Sequence, residues 1–352
     1  MKKKLLEITR SYLPVIGGLE NFVYSRNKIF HSLNYRTQII TTDYQLTSTN
    51  CLEDEIVRCK QFSRYNVIYP NKKFLDILKE SYDIISINQI GNFLSDFFII
   101  SKNPNNPIKI LTPHMYFHTS KYGFAKKIYS GFITKKLLRK IDHLICFTKV
   151  EAKFWNKYFE FPIDKITIIP HSFNFINKIQ YDRIEDHNFI LYIGREAINK
   201  RIDLLIEAWN NLNINKKLII VGVNSLENHK NIHYKGIVSQ KEKNNLLKNC
   251  SALILPTDFE AFGHVLLEAS SFKKPILCSN LEIFSEILNK DGYIGFENNV
   301  NGIKQAILKF NEYSEKEKEM MGETNYINLN RYTTEKITAS YNDLFNRLLK
   351  KK

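Results

Sequence analysis

The hydrophobic positions in the first half of the chain alternate between short β-branched runs and longer stretches with helical spacing. The run KKLLEIT is followed by a loop, SYLPVIGG, and then by apolar residues at roughly helical spacing from Leu19 to Leu33. Further runs typical of strands are RTQIITT, YDIISIN, IKILTPH and HLICFT, and the stretch ITIIPHSF follows them. Strands that alternate with helices in this way predict a parallel sheet built from right-handed crossovers.

The same alternation restarts after a polar segment, NKIQYDRIEDHN, which we interpret as a linker. In this second half, FILYIG, KLIIVG, SALILP and KPILCS are typical of strands, RIDLLIEAWNNL of a helix, and TEKITASYNDLFNRLLKKK of a terminal helix. The chain has 352 residues, which is long enough for two domains of ordinary size. The sequence therefore predicts two α/β domains in tandem.

The composition is that of a folded protein, with 43% hydrophobic and 25% charged residues. No apolar stretch is long enough to span a bilayer, and the opening MKKKLLEIT lacks the apolar core of a signal peptide. The five cysteines form no CxxC pair, which favours reduced thiols. These features lead us to expect a cytoplasmic protein.

The net charge of +15, from 51 basic and 36 acidic residues, could serve nucleic acid, an anionic membrane surface or phosphorylated ligands, and the bulk charge alone does not decide among them. Residues 121–140 carry seven lysines and arginines among Phe, Ile and Leu. As a helix, this segment would be basic and amphipathic, suited to the inner face of the cell membrane. The alternative is an ordinary helix on the sheet with solvated lysines. No nucleic-acid-binding module accompanies the charge, so we expect no nucleic acid partner.

The stretch PTDFEAFGHVLLEAS, residues 256–270, predicts a loop followed by a helix that begins near Gly263. A helix N-terminus offers free N–H groups and partial positive charge, and glycine lets the backbone approach a diphosphate closely. Glu268, about one turn inside, could accept two ribose hydroxyls, and Glu260 could accept hydroxyls of a sugar. Alternatively, both glutamates are solvated surface charges and Phe262 belongs to the core.

A second stretch, YIGREAINKRID, places Arg195 and Lys200 after the strand-end Gly194. Two cations here could balance the negative charges of a departing nucleoside diphosphate. They could equally be surface cations near a helix start. Arg201 either assists them or faces solvent.

Two further stretches lie at strand ends in the first half. Gly17 and Gly18, in PVIGGLE, let backbone amides meet an anion or a sugar, or simply let the loop turn. Their spacing is wrong for GxGxxG, so a dehydrogenase with Asp43 as its ribose-binding acid is a minor alternative.

His114 follows an apolar run, where parallel sheets bind ligands, but it could also be a core histidine. His118 lies four residues on, yet no third ligand or DxD pair accompanies it, so we expect no metal.

In this order, PVIGGLE, TPH, IIPHSF, YIGREAINKRID and PTDFEAFGHVLLEAS resemble the family 4 glycosyltransferases, which are retaining enzymes with the GT-B fold. The resemblance covers nearly the whole chain. It implies two Rossmann-like domains that face each other across a cleft. Residues 1–175 would form the acceptor-side domain and residues 186–332 the nucleotide-sugar domain, with a C-terminal helix, 333–352, crossing back onto the first domain.

The resemblance also implies roles for individual residues. Arg195 and Lys200 would bind the donor diphosphate, Glu268 the ribose and Glu260 the transferred sugar. His114 would lie near the anomeric centre. The implied catalytic set is His114, Arg195, Lys200 and Glu260. The implied donor-binding set is Gly17, Gly18, Gly194, Arg195, Lys200, Phe262, Gly263, His264, Val265 and Glu268. The nucleotide-diphosphate sugar would be a co-substrate, so no cofactor is expected.

The predicted function is metal-independent, retaining transfer of a sugar from a nucleotide-diphosphate sugar to a glycan or lipid-linked acceptor in surface polysaccharide or glycolipid biosynthesis. One alternative is a nucleotide-sugar epimerase of the same fold, which needs no acceptor. Another is a non-catalytic, membrane-surface protein that binds sugar nucleotides. The chain departs from the family pattern at Ala261, FKKP and PHSFN, and none of these removes a charged group. We expect specificity to reside in loops such as 44–66 and 115–125.

Overall fold

The computed structural model describes residues 2–15, 17–43, 56–62, 67–114, 132–173, 188–224 and 231–352. The chain divides into two compact units. Unit 1 comprises Met1–Ser172 and Thr334–Lys352, and unit 2 comprises Phe173–Thr333. The segment that we interpret as a linker lies outside the described residues except for its last residue, Asn188. Both units are α/β, and the prediction of two parallel-sheet domains is confirmed.

In the described part of unit 1, eight strands form one sheet in the order β4-β3-β2-β1-β5-β6-β7-β8. Neighbouring strands are parallel except β3 and β4, which are antiparallel. The strands are β1 (Lys4–Ile8), β2 (Arg36–Thr42), β3 (Ile56–Phe62), β4 (Val67–Tyr69), β5 (Ile84–Asn88), β6 (Ile108–Thr112), β7 (His143–Cys146) and β8 (Ile166–Ile168). The central strands β5 and β6 are buried at every position, as expected for strands covered on both faces.

Helices pack against the unit 1 sheet. They are α1 (Gly18–Ser32), α2 (Lys72–Lys79), α3 (Phe93–Ile100), α4 (Thr134–Leu138), α5 (Lys149–Phe159) and, from the end of the chain, α12 (Thr334–Lys350). Side chains cap three of their starts, because Asn71, Asn92 and Thr148 each accept a backbone N–H one turn ahead. The buried face of α12 joins the unit 1 core, where Tyr341 and Phe345 pack against Phe30.

In the described part of unit 2, six parallel strands follow the order β11-β10-β9-β12-β13-β14. They are β9 (Phe189–Ile193), β10 (Lys217–Val221), β11 (Ile232–Gly236), β12 (Ala252–Leu255), β13 (Ile276–Ser279) and β14 (Tyr293–Phe296). The helices are α6 (Ile202–Asn210), α7 (Gln240–Asn249), α8 (His264–Ser271), α9 (Glu282–Ile287), α10 (Val300–Glu312) and α11 (Glu315–Asn328). This order brings the ends of β9 and β12, which precede the two predicted donor-binding loops, side by side.

The expectation of a specificity loop over 44–66 is wrong for residues 56–62. These residues form β3, which pairs with β2 in parallel. The physical reason is that burial alternates along this run, as it does in a strand with one face toward the core. Val57 and Cys59 are buried, whereas Lys60 is exposed. Residues 44–55 and 63–66 lie outside the described residues, as do 115–125.

The basic segment 121–140 is described only from residue 132 onward. In that part, Leu137 and Leu138 are buried in the unit 1 core, and Lys135 forms an ion pair with Glu160 at 2.6 Å. Phe132 and Ile133 are exposed. This end of the segment therefore packs on the sheet through one face and presents apolar side chains on another.

Of the helices that the structure describes, none combines the length and the apolar character needed to cross a membrane. The described cysteines, Cys59, Cys146, Cys250 and Cys278, are free and buried.

Candidate functional site

Two loops at the carboxyl edge of the unit 2 sheet are joined by one asparagine. Asn199, in the loop after β9, donates from Nδ2 to the Phe259 carbonyl oxygen at 3.1 Å. The Asn199 carbonyl oxygen accepts the backbone N–H of Asp258 at 2.8 Å and the Thr257 hydroxyl at 2.9 Å. Backbone groups of each loop thus form hydrogen bonds with the other loop. These bonds hold residues 195–201 and 256–262 in a fixed relative position.

Lys200 and Glu260, one from each loop, form an ion pair between Nζ and Oε1. Both side chains are only 15% exposed. The tie through Asn199 places them together although they are 60 positions apart in the chain. The alternative of two solvated surface charges does not describe this pair.

Arg195 and Arg201 differ in their surroundings. Arg195 is exposed and makes no hydrogen bond or ion pair with another described residue. Arg201 contacts Asp203 at 3.2 Å and Asp258 at 3.3 Å. The charge of Arg201 is therefore balanced by two carboxylates, whereas Arg195 has no such partner in the part of the chain that the structure describes.

Gly194 leads into the first loop from β9 at a place where backbones crowd. A Cβ at Gly222, where φ is +89°, would lie 2.5 Å from the Gly194 carbonyl oxygen. A Cβ at Gly194 would lie 2.6 Å from the hydroxyl of Tyr192. Burial raises the pKa of Tyr192, and the neighbouring Glu260 carboxylate adds to this effect. Close approach of these groups, rather than ligand binding alone, accounts for the strand-end glycine.

The second loop turns into α8 at Gly263, whose φ of 74° and ψ of 54° lie in the left-handed region. A Cβ there would lie 3.0 Å from Leu266 and 3.1 Å from Phe284. No side chain of the N-cap residue caps this helix, so its start suits an external acceptor. The Phe262 side chain is 2% exposed and packs on Tyr332, which leaves only its backbone to meet a ligand.

Glu268, inside α8, is held from two sides. Its Oε1 accepts Nζ of Lys243, from α7, at 2.6 Å and lies 4.0 Å from Nδ1 of His264. Burial lowers the pKa of His264, and the Glu268 carboxylate opposes that shift. Val265, between them in sequence, is half-buried. The structure therefore brings Glu268 and His264 together and adds Lys243, which the sequence did not indicate.

In unit 1, Gly17 precedes α1 in extended backbone with φ −171°. The space that its missing side chain leaves is filled by the Glu20 carboxylate, to which the Ser11 hydroxyl donates. A Cβ at Gly18 would have no neighbour within 4 Å. The close contact with Glu20 therefore explains why residue 17 is a glycine. At Gly18 no neighbouring atom would contact a side chain.

His114 follows β6 with a left-handed φ of 55°. Its ring packs edge-on against Phe22 and Phe147, with centroids 5.1 and 5.0 Å away. Its Nε2 lies 3.3 Å from Oδ1 of Asn88. Burial, with the charge of Arg26, lowers the pKa of His114 to about 3, so the imidazole is neutral near pH 7. The partner of the His114 ring is thus a side-chain amide from the end of β5.

Sequence reasoning missed Asn88, Asn199 and Lys243. Asn88 could have been noticed, because it is the polar residue that ends the apolar strand YDIISIN. Asn199 and Lys243 lie in polar segments, INK and KEKNN, where nothing separates them from their neighbours. His118, by contrast, lies outside the described residues.

The family described as "Glycosyl transferases group 1" matches residues 174–326, which are most of unit 2. An uncharacterized glycosyltransferase of Methanocaldococcus jannaschii is 27% identical over 224 residues, covering 54% of this chain and 64% of its own length. The chain thus spans less than two thirds of that relative. O-antigen chain mannosyltransferase C of Escherichia coli is 21% identical, covering 99% of this chain and 100% of its own.

Among solved structures, the HepE protein of Anabaena in complex with UDP-glucose has a TM-score of 0.74. It is 12% identical, and the alignment covers 99% of this chain and 100% of that one. Such a likeness shows the fold. The match of residues 174–326 to this family model confirms the resemblance to glycosyltransferases, and the likeness to the solved structures confirms the GT-B fold.

The lowered pKa of His114 predicts a pH dependence of stability. In the unfolded chain, His114 has its usual pKa of about 6.5. Between about pH 6.5 and pH 3 the unfolded chain therefore binds a proton at His114 that the folded chain does not bind. The free energy of unfolding should be highest above about pH 6.5 and fall as the pH drops toward about 3. His114→Gln should lessen that fall in denaturant titrations. His233→Gln, at an exposed histidine of β11, is the control and should leave the slope unchanged.

Proposed function

We propose that the protein is a retaining glycosyltransferase that moves a sugar from a nucleotide-diphosphate sugar to a glycan or lipid-linked acceptor in surface polysaccharide biosynthesis. The main support for this proposal lies at the carboxyl edge of the unit 2 sheet. There the helix that starts at Gly263 has no side-chain cap, and two ion pairs, Lys200–Glu260 and Lys243–Glu268, lie at the same edge. The Escherichia coli relative's name, an O-antigen chain mannosyltransferase, supports the polysaccharide context.

The groups of this edge suit the two ends of a nucleotide sugar. Arg195 lacks a protein partner among the described residues, and Lys200 can exchange its carboxylate for a phosphate oxygen. Glu260, released from Lys200, would then accept sugar hydroxyls. Glu268 has one oxygen on Lys243 and the other available for a ribose hydroxyl.

The chemistry that follows is stabilisation of a leaving group. A retaining transfer that does not use a carboxylate nucleophile must make and break bonds on one face of the sugar, through a transition state with oxocarbenium character. Negative charge accumulates on the departing diphosphate, where Arg195, Lys200 and the start of α8 would stabilise it. The acceptor proton can pass to the departing phosphate oxygen, which makes a dedicated protein base unnecessary.

Loss of either diphosphate-binding cation should slow transfer strongly. Arg195→Ala and Lys200→Ala should each lower the transfer rate by about 10²–10³, since one such donor to a developing charge contributes about 3 kcal/mol. The donor is first found by thermal stabilisation with UDP-glucose, UDP-N-acetylglucosamine and GDP-mannose, and turnover is followed as product in the presence and absence of acceptor. Lys309→Ala, an exposed cation of α10, is the control.

Wild-type rates in both cation variants would contradict the leaving-group mechanism. Conversion of the donor without an acceptor would favour the epimerase instead.

Lys243 should matter for the nucleoside. Lys243→Met keeps the length of the side chain but frees Glu268, so binding of the matching nucleoside diphosphate should weaken about tenfold by calorimetry, or about 1.4 kcal/mol. Lys243→Arg should restore most of the affinity, because it retains a cation. Lys241→Met, an exposed position of the same helix, is the control. Equal affinity of Lys243→Met and wild type would exclude this role.

Association with an anionic membrane through residues 121–140 is a separate part of the proposal, supported by their charge and by the exposed Phe132 and Ile133. The protein should co-sediment with phosphatidylglycerol vesicles at moderate salt, and less with phosphatidylcholine alone. Replacing Lys126 and Lys127 with Glu should reduce binding. The same change at the exposed Lys72 and Lys73 of α2 is the control. No sedimentation of the wild type would end this hypothesis.

A further inference from the structure

A cavity of about 260 Å³ lies at the amino edge of the unit 2 sheet, opposite the edge that carries the loops at Gly194 and Gly263. Residues directly before three of the parallel strands line it: Lys216 before β10, Ser251 before β12 and Pro275 before β13. The start of α11 forms a further wall. Because the strands are parallel, the cavity lies a full strand length from the candidate donor loops and is separate from them.

The lining of this cavity carries an excess of positive charge. Three separate segments supply its cations: the starts of β10 and β13, and helix α11. Of the residues that the structure describes, the charged ones in the lining are Lys216, Lys273, Lys274, Lys318, Glu315 and Glu319. Lysines thus outnumber carboxylates, which favours an anion as the ligand.

The two lysines at the strand starts contact no carboxylate in the described part of unit 2. Nζ of Lys216 donates to Oδ1 of Asn188 at 2.8 Å and to the Ser251 hydroxyl at 3.5 Å, and both are neutral groups. Lys274 forms no ion pair with a described residue. Burial lowers the pKa of both lysines, and the nearby Lys318 ammonium lowers the pKa of Lys216 further. An anion in the cavity would therefore stabilise two ammonium groups that burial has deprived of water.

Lys318, on α11, is a third cation, and its carboxylate partner is easily released. Its Nζ lies 2.8 Å from Oε1 of Glu315, and 13% of the Lys318 side chain is exposed, against 86% for Glu315. A carboxylate so exposed returns to water at little cost when its cation binds another anion. Glu260, at the opposite edge of the sheet, is only 15% exposed and would lose its cation in a desolvated position. The amino-edge cavity thus suits an anion that brings no hydroxyl groups.

The wall that carries Lys274 is fixed by its contacts with α11. Asn325, on that helix, donates through Nδ2 to the Lys274 carbonyl oxygen at 2.9 Å and to the Gly292 carbonyl oxygen at 2.7 Å. Gly322 packs on the Lys273 carbonyl, because a Cβ at residue 322 would overlap that oxygen. Lys273 has a left-handed φ of 55°, which is uncommon for a residue with a side chain. The turn before β13 and α11 are therefore held together, so binding requires little reorganisation.

We propose that this cavity, the amino-edge site, binds a small phosphate anion such as inorganic diphosphate through the ammonium groups of Lys216, Lys274 and Lys318. Phosphate oxygens accept several charge-assisted hydrogen bonds at once, and lysine is a common ligand for them. The cavity is smaller than the sites of drug-sized ligands, which begin at about 300 Å³, so it suits a small anion rather than a nucleotide sugar. Glu315 and Glu319, both exposed, would repel an extended anionic surface such as a bilayer. The proposal concerns unit 2 alone and does not depend on the transfer reaction.

Calorimetric titration with inorganic diphosphate, without divalent metal, tests the site. Lys216→Gln and Lys274→Gln should each weaken binding about tenfold, because each removes a charge-assisted hydrogen bond. Lys290→Gln is the control, since it removes the same charge from an exposed lysine at the same edge, before β14, and should leave the affinity unchanged. The proposal is overturned if the wild type does not bind millimolar diphosphate, or if Lys290→Gln weakens binding as much as the cavity variants do.

Arg195→Ala distinguishes the two edges of the sheet. Diphosphate bound at the amino-edge site should keep its wild-type affinity in this variant, because Arg195 follows β9 at the opposite edge. Affinity that is lost in Arg195→Ala and kept in Lys274→Gln would place diphosphate at the carboxyl edge and overturn the amino-edge site. An absence of turnover with every nucleotide sugar would instead count against the proposed function and would leave this titration unaffected.

A measurement on the wild type decides the question should the lysine variants not fold. Lysines are acetylated with an N-hydroxysuccinimide ester in the presence and absence of diphosphate, and each position is read by mass spectrometry of peptides. Diphosphate should reduce acetylation of Lys216, Lys274 and Lys318 several-fold and leave that of the exposed Lys290 unchanged. Equal acetylation of the three cavity lysines under both conditions overturns the proposal.

Discussion

A charge withdrawn from water must be paired, and this constraint shapes the carboxyl edges of both sheets. In unit 1 the Glu7–Arg26 pair is almost fully buried, and in unit 2 the Lys200–Glu260 and Lys243–Glu268 pairs lie partly buried at loop and helix positions. Parallel sheets create the constraint, because their strands end in the same direction and gather the polar ends of several strands at one edge. The pairs then decide which groups remain available to a ligand.

The two kinds of pair are suited to different tasks. The Glu7–Arg26 pair is sealed from water and cross-linked through Asn88, so separating it would leave an unpaired charge in the core. It can therefore hold a neighbouring ring in place but cannot exchange partners. The Lys200–Glu260 pair keeps 15% exposure on each side chain, which lets water or a ligand reach it. Unit 1 thus holds a pair beneath His114 that is sealed from water, and unit 2 holds pairs that solvent can reach.

Many strands and helix starts could be predicted from the sequence, because local residue patterns determine them. Continuous runs rich in isoleucine predicted the buried strands β5 and β6, and Gly263 predicted the start of α8. Strand β3 was missed because Arg58, between the buried Val57 and Cys59, and the exposed Lys60 after them give the run the composition of a polar segment. The partners of the site residues could not be predicted at all. Asn88 lies 81 positions from Glu7, and Lys200 lies 60 from Glu260, so only the folded sheet brings them together.

Pairing also bears on which anions the unit 2 edge would accept under the proposed function. A phosphate that takes Lys200 from Glu260 leaves behind a carboxylate that is only 15% exposed and has lost its cation. That desolvated carboxylate needs hydrogen-bond donors, and an inorganic diphosphate has none to offer near neutral pH beyond its own residual protons. A sugar attached to the diphosphate supplies hydroxyls at the required end of the molecule. Under the proposed function, the internal ion pair would therefore favour the complete nucleotide sugar over its phosphate portion, because only the complete donor would replace both halves of the contact that it breaks.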